Sequence, residues 1–161
     1  MWKKDGTKLT GNYGTWNGRE IELWSVRPQN GTLTLVKDGG DSPGSDWHTQ
    51  VLPNRFARTP FSHRRRVSSD EVTGIHSVRV LGELGPGRPV EIIAEDDSGR
   101  LAIMADGGFS TEEKMDLMEK YDFQTFTDSE PVGRQGVFGW IPAQMVHNIK
   151  SEVVHLRSDS K

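Results

Sequence analysis

Gly18-Arg19-Glu20-Ile21-Glu22-Leu23 recurs 69 residues later in the chain as Gly87-Arg88-Pro89-Val90-Glu91-Ile92. Both stretches open with Gly-Arg and then alternate apolar with polar residues, a pattern typical of a half-buried β-strand. A second pair of segments, residues 31–40 and 99–108, follows in the same order, and both members end in Asp-Gly-Gly. The chain therefore carries two copies of one predicted β-hairpin.

A third pair of segments matches further along each copy, at residues 67–72 and 141–146. Each is followed by an isoleucine, Ile75 in the first copy and Ile149 in the second. Chance could supply one such match, but three matches in the same order indicate an internal duplication.

The duplication predicts a mainly β fold class with two small modules, residues 10–80 and 81–157. In each module the first two strands are separated by turn-forming residues, Arg27–Gly31 in the first and Asp96–Gly99 in the second. Arg64–Val67 in the first module and Gly136–Ile141 in the second then predict another strand, followed by a short turn that returns Val72 or Val146 to the core.

The two copies differ in the middle. In the second copy, Ser110 is followed three residues later by Glu113, which is the signature of a capping box at the start of a helix. Met115 and Met118 follow at helical spacing, so one short helix is predicted over 111–120. The first copy has residues 41–54 in the same place, rich in Gly, Pro, Ser and Asp. We expect these residues to form an irregular loop that is mobile or faces a ligand.

Composition and charge limit the classes of function. The 161 residues include no cysteine, which rules out disulfides and thiol chemistry and suits the cytoplasm. No apolar run approaches the roughly 18 residues that a membrane span needs, and the first residues lack a secretory leader pattern. The net charge is −3, but residues 1–88 carry +4 and residues 89–161 carry −7. Nucleic acid is therefore an unlikely partner for the whole chain, whereas the acidic half suits a basic protein.

Two motifs resemble a catalytic site and a calcium site of other proteins, but the surrounding sequence does not match either site. Gly40–Gly44 has the spacing of a nucleophile elbow around Ser42, but no helical pattern follows it. Asp38, Asp41, Asp46 and His48 do not have the spacing of a calcium loop. We accordingly predict no catalytic residue, no metal site and no cofactor, and expect that the protein is not an enzyme.

The densest basic patch is Arg64-Arg65-Arg66. It could bind a phosphate or carboxylate surface, since the guanidinium fork pairs with such groups, or it could be the solvated edge of a sheet. Neighbouring residues of a strand point to opposite faces, so at most two of the three arginines share a face. Trp16, Trp24 and Trp140 fall in strand patterns and are expected to pack.

Acidic and aromatic residues outside the strands are the candidates for binding a protein partner. Trp47 lies in a glycine-rich loop, where it could anchor an interface or plug its own core. Acidic residues at the second module's turn and on the predicted helix could attract a cationic surface, although such clusters also keep proteins soluble. The predicted partner-binding residues are Asp46, Trp47, His48, Glu95, Asp96, Asp97, Asp116 and Glu119.

Two resemblances bear on this pattern. Gly139-Trp140-Ile141-Pro142-Ala143 before a short turn resembles the last strand of SH3-like β-barrels, which implies two SH3-like modules. The chain as a whole, two such copies with a helix after the second strand of one, is similar to immunity proteins of bacterial polymorphic toxin systems. That resemblance implies a cytoplasmic protein that binds a cognate toxin as a heterodimer, for example a NAD-glycohydrolase or a nuclease, and blocks its active site. The alternative is a nucleic-acid or peptide adaptor that uses the patch Arg64–Arg66.

Overall fold

β-Strands dominate the computed structural model, which describes residues 1–51 and 61–156. The described residues confirm a mainly β fold with one α-helix, α1 (Thr111–Tyr121), and three single 3-10 turns, Ser69–Glu71, Val132–Arg134 and Ala143–Met145. The strands are β1 (Gly11–Trp16), β2 (Arg19–Leu23), β3 (Thr32–Asp38), β4 (His48–Val51), β5 (Phe61–Ser68), β6 (Val72–Glu83), β7 (Pro89–Glu95), β8 (Leu101–Ala105), β9 (Gln124–Thr125), β10 (Val137–Ile141) and β11 (His147–Leu156).

Contacts between Cα atoms divide the chain into two units. The first unit comprises Met1, Thr10–Arg79 and the chain from Glu152 onward, and the second comprises Trp2–Leu9 and Val80–Ser151. The boundary near residue 80 falls inside strand β6, which contributes residues to both units.

In the first unit the strand order is β4-β5-β3-β2-β1-β6, and neighbouring strands are antiparallel. Asn17 and Gly18 connect β1 to β2, both at positive φ, as a two-residue hairpin turn of this kind requires. The 3-10 turn after β5 begins with a capping box from Ser68 and ends at Val72, whose side chain returns to the core as predicted.

The core of the first unit lies on one face of this sheet. Leu23 is paired with Leu35, and Val67 with Leu33, so alternate residues of three adjacent strands point to the same side. The buried cluster consists of Leu23, Leu33, Leu35, Val67, Val72 and Ile75, with Trp16, Ile21, Val26 and Trp47 packed against it.

In the second unit the order is β6-β7-β8-β10-β9, and β11 pairs with β6. A 3-10 turn again precedes the last long strand and returns Val146 to the core. At the start of β11, the side-chain amide of Asn148 donates a hydrogen bond to Glu83 Oε1 at 3.1 Å. In each unit a hairpin, β2–β3 or β7–β8, is therefore followed along the chain by an insertion, a strand, a 3-10 turn and a further strand.

Matching sequence positions are buried in both copies. The equivalent buried pairs are Leu23 and Ile92, Leu33 and Leu101, Leu35 and Ile103, Val67 and Ile141, and Val72 and Val146. The match ends at the isoleucines, because Ile75 is fully buried whereas Ile149 is 48% exposed.

The two insertions adopt different secondary structures. The helix forms as predicted: Ser110 and Glu113 make both hydrogen bonds of the capping box, and Asp122 ends the helix at a φ of 59°. The prediction of an irregular loop over 41–54 is wrong at 48–51, where β4 pairs with β5; residues 52–54 lie outside the described part of the chain. Pairing gives the backbone groups on this side of β5 hydrogen-bond partners, which turn-rich composition alone does not reveal.

A candidate ligand-binding face on the first unit

One row of side chains crosses the sheet on the face opposite the core. Thr34 is paired with Arg66, and the Trp24 amide donates to Thr34 O at 2.9 Å, which extends the β2–β3 pairing by one residue. Because Leu23, Leu35 and Val67 point into the core, their neighbours Trp24, Thr34 and Arg66 point outward. Trp24 is 62% exposed. The expectation that Trp24 packs is therefore wrong.

The three consecutive arginines are divided between the two faces, as their alternation predicts. Arg64 lies on the outward face, and its guanidinium carbon is 4.2 Å from the centroid of the Trp24 ring, a cation–π contact. Arg65 lies on the opposite side, 5.0 Å from the centroid of the Trp16 ring, with Nη1 at 3.6 Å from Asp46 Oδ2. Arg66 shares the outward face with Arg64.

A small cavity of about 40 Å³ opens beside Trp24. Its charged lining residues are Arg27 and Arg66, and neither forms an ion pair with any other described residue. The rest of the lining is Trp24, Ser25, Gln29, Thr32, Leu33 and Thr34, so four of the remaining residues carry a hydroxyl or amide side chain. A tryptophan, two arginines and several residues with hydrogen-bonding side chains therefore line one cavity, and we call this surface the Trp24 face.

The predicted partner-binding residues of the first copy lie elsewhere. Trp47 is half-buried against the core cluster and contacts Trp16 edge to face, with ring centroids 6.5 Å apart. Of the two roles considered for Trp47, this packing corresponds to a side chain that contributes to the core of its own unit. Asp46 is exposed beside Arg65, and His48 is exposed on β4, paired with Arg64.

Two of the three acidic residues at the turn of the second copy accept hydrogen bonds from backbone amides. Glu95 is only 8% exposed and accepts a hydrogen bond from the Lys4 amide at 2.9 Å. Asp96 accepts hydrogen bonds from Ser98 and from the Arg100 amide and side chain. Burial raises the pKa of Asp96, but these hydrogen bonds outweigh it and lower the pKa below its ordinary value. Asp97 remains exposed.

The helix presents its acidic residues to solvent. Asp116 and Glu119 are both exposed, and Asp116 forms an ion pair with Lys120 at 3.1 Å. Near the start of the helix, the Arg88 guanidinium bonds Glu113 and lowers the pKa of that carboxyl. Met115 is 55% exposed on the same side of the helix as Asp116 and Glu119.

Other reactive side chains are engaged in structural roles. Ser42 donates to Gly44 O at 3.0 Å and accepts from the Gly44 amide, so its hydroxyl stabilises a turn. His63 is buried, with Nδ1 at 2.9 Å from Thr49 Oγ1 and Nε2 at 2.9 Å from Gly40 O. Among residues 1–51 and 61–156, no three His, Asp or Glu side chains gather as metal ligands would. Within the same residues, no helix has the length and hydropathy needed to cross a membrane.

Comparison with known proteins adds no relative: no family model, no curated protein and no solved structure matches this chain. The site must therefore be judged on its own residues. Sequence reasoning missed the Trp24 face because it examined each tryptophan separately. A usable signal was present, since assigning Leu23 to the core leaves Trp24 outward in any period-two strand.

Proposed function

We propose that this protein is a non-catalytic binding protein that uses the Trp24 face to hold an anionic partner. This is the adaptor role, with Arg64 and Arg66 presented on one face of the sheet rather than as a continuous patch. The Trp24 face has no carboxylate among its lining residues, and two of those residues are arginines.

The observation that carries this proposal is the exposed Trp24 beside Arg27 and Arg66, neither of which forms an ion pair with another described residue. Tryptophan and arginine are the residues most often found at binding hot spots, because each buries a large surface at an interface. A ring that is 62% exposed contributes little to the fold through burial. The contact with Arg64 holds the ring in a defined position, so Trp24 is preorganised to receive a partner.

The topology supports SH3-like modules as the framework for this role. In each unit, antiparallel neighbours are followed by a 3-10 turn and then by a strand that pairs elsewhere in the sheet. SH3-like modules use exposed faces and loops of a small barrel for recognition. We propose the same use here, in the cytoplasm, where a cysteine-free chain is at no disadvantage.

The test compares proteins captured from the native cell lysate by immobilised wild-type protein and by three variants. Trp24→Ala and Arg66→Ser should each lose a partner that the wild type retains, and that partner should elute from the wild type as salt is raised. Arg19→Ser removes an exposed arginine of β2 outside the cavity and should capture the partner normally. Retention of every captured partner by both Trp24→Ala and Arg66→Ser would disprove this role.

A second candidate function is the toxin-blocking role of an immunity protein, which the exposed face of α1 favours. Glu112, Met115, Asp116 and Glu119 occupy one side of the helix, so a large apolar side chain is surrounded by three carboxylates. Such a surface suits a basic protein, and a toxin whose active site binds an anionic substrate offers one.

The double variant Asp116→Lys, Glu119→Lys tests the second candidate. It should fail to capture a basic partner that the wild type captures, and the wild type should inhibit that partner at a ratio of one to one. Asp128→Lys, Glu130→Lys is the matched control, because it reverses two exposed charges of the second unit outside the helix. Equal capture by the helix variant and its control would eliminate the helix as the docking surface.

A further inference from the structure

We infer that the cavity beside Trp24 binds a nucleoside phosphate, with the phosphate held by Arg27 and Arg66 and the base stacked on the Trp24 indole. The inference rests on the proposed function, since it names the ligand of the same face. It goes beyond the proposed function because it specifies the chemical class of the ligand, which is a phosphate joined through a sugar to a flat aromatic base.

The size of the cavity decides how much of the ligand enters it. A single water needs roughly 10–15 Å³ of such space. The cavity of about 40 Å³ therefore accommodates a group with the dimensions of a phosphate, but not a whole nucleotide. The remainder of the ligand must lie on the surface beside the cavity, where the exposed Trp24 ring is the neighbouring feature.

The charge of the cavity selects an anion. Arg27 and Arg66 line the same small space, and no Asp or Glu lines it with them. The planar fork of an arginine guanidinium matches the oxygens of a phosphate. Neither arginine forms an ion pair with another described residue, so both are available to an anion.

The aromatic and polar neighbours favour a nucleoside over other phosphate carriers. Arg64 stacks against Trp24, and its Nε is buried with no hydrogen-bond partner among the described residues, so it acts as a positioning residue for the ring. A tryptophan exposed on a sheet face is a stacking platform for a base. Ser25, Thr32 and Thr34 also line the cavity. Ser25 Oγ accepts from the Arg27 amide at 3.1 Å and Thr32 Oγ1 donates to Gln29 O at 2.8 Å, and a hydroxyl engaged in one hydrogen bond can still form another with a sugar hydroxyl.

The experiment follows the five indole N–H signals of the full-length protein by NMR, with the Trp24 signal assigned from Trp24→Phe. The probes are adenosine monophosphate, adenosine, inorganic phosphate, a single strand of eight adenylates, and phosphotyrosine. Adenosine monophosphate should shift the Trp24 signal saturably, and adenosine should bind about tenfold more weakly because it lacks the charge-assisted hydrogen bonds. Tighter binding of the strand than of the monophosphate would identify single-stranded nucleic acid as the source, and equal binding a free nucleotide.

Matched variants connect the signal to the cavity. Arg66→Ser and Arg27→Ser should each weaken adenosine monophosphate about tenfold, and Arg19→Ser should leave its affinity unchanged. Thermal melting shows whether each variant is folded. If Arg66→Ser melts early, Arg27→Ser decides the matter, because Arg27 lies exposed between β2 and β3.

The results separate this inference from the proposed function. No Trp24 response to adenosine monophosphate or to the strand at millimolar concentration would overturn the nucleoside assignment, and so would a response to phosphotyrosine alone. In either case the proposed function would still stand if Trp24→Ala loses its captured partner. If the probes bind but no captured partner depends on Trp24, the inference stands and the partner-binding role fails.

Discussion

The outward face of β2, β3 and β5 in the first unit differs from the corresponding face of β7, β8 and β10 in the second. Thr34 of the first copy aligns with Ala102 of the second, and Arg66 aligns with Trp140. The Thr34–Arg66 pair is accessible, whereas Ala102 is fully buried and paired with Trp140. Matching strands therefore carry an accessible polar pair in the first copy, and a buried alanine paired with a half-buried tryptophan in the second.

The insertions account for this difference. In the second unit, the chain after α1 lies over the sheet, with the Phe126 ring 4.6 Å from Phe138. Buried Gln135 holds that segment by accepting from the amides of Phe126 and Thr127 and donating to Thr127 O and Glu130 O. In the first unit, residues 48–51 instead form β4, which pairs edge to edge with β5 and widens the sheet. Trp24, Arg27 and Arg66 are exposed in this unit.

The largest expected effect contrasts two aligned positions on these faces. Phe138→Ala should lower the free energy of unfolding by about 3–5 kcal/mol, because it empties a fully buried site. Its counterpart Arg64→Ala should cost only about 1 kcal/mol, the worth of a cation–π contact with the largely exposed Trp24 ring. Denaturant unfolding followed by circular dichroism measures both. Similar losses of unfolding free energy for the two variants would mean that the two faces do not differ in how much they contribute to stability.

A smaller effect tests the first copy's insertion. Trp47→Ala should destabilise the protein by about 2 kcal/mol, since the half-buried ring packs on the core cluster and on Trp16. The exposed Trp24→Ala is the control and should cost less than about 1 kcal/mol. The measurement is the midpoint of denaturant unfolding. A Trp47→Ala variant as stable as the wild type would contradict the packing role and favour Trp47 as an anchor for a partner interface.

The smallest effect concerns the turns, where Asp96 of the second copy aligns with Arg27 of the first. Asp96→Asn should cost about 1–2 kcal/mol at neutral pH, because it weakens hydrogen bonds to a charged acceptor. The pKa of Asp96 is lower in the folded state than in the unfolded chain, so this stabilisation is present at neutral pH and is lost as pH falls through the lowered pKa. The difference in Tm between wild type and variant should therefore shrink below about pH 4. A difference that is independent of pH would show that the carboxylate charge does not hold the turn.

Local patterns were sufficient for much of the fold. Period-two alternation around Leu23 and Leu33 predicted strands that formed, and the spacing of Ser110 and Glu113 predicted a helix that began at the expected residue. Both signals are local, because a strand or a capped helix is specified by residues a few positions apart. Strand β4 could not be predicted in this way, since its hydrogen bonds are made with β5 across residues distant in sequence.

The candidate site was harder to predict than the fold. Glu95 and Asp96 are predicted to bind a partner, and the structure shows a structural role for both: they accept hydrogen bonds from the Lys4 backbone and from their own turn. An acidic residue in a turn has the same sequence signature in either role, and only the position of the donors distinguishes the two. The prediction that Trp24 is packed was wrong, because an aromatic residue in a strand pattern indicates burial only when the face on which it lies is known.

The amino-acid sequence by itself determined the duplicated order of strands, the buried positions shared by the two copies and the capped helix, because each depends on the periodicity and capping chemistry of neighbouring residues. Only the tertiary structure decided which sheet face stays open and which side chains meet there. That choice depends on where each insertion packs, and packing joins residues such as Arg27, Trp24 and Arg66 that no local pattern connects.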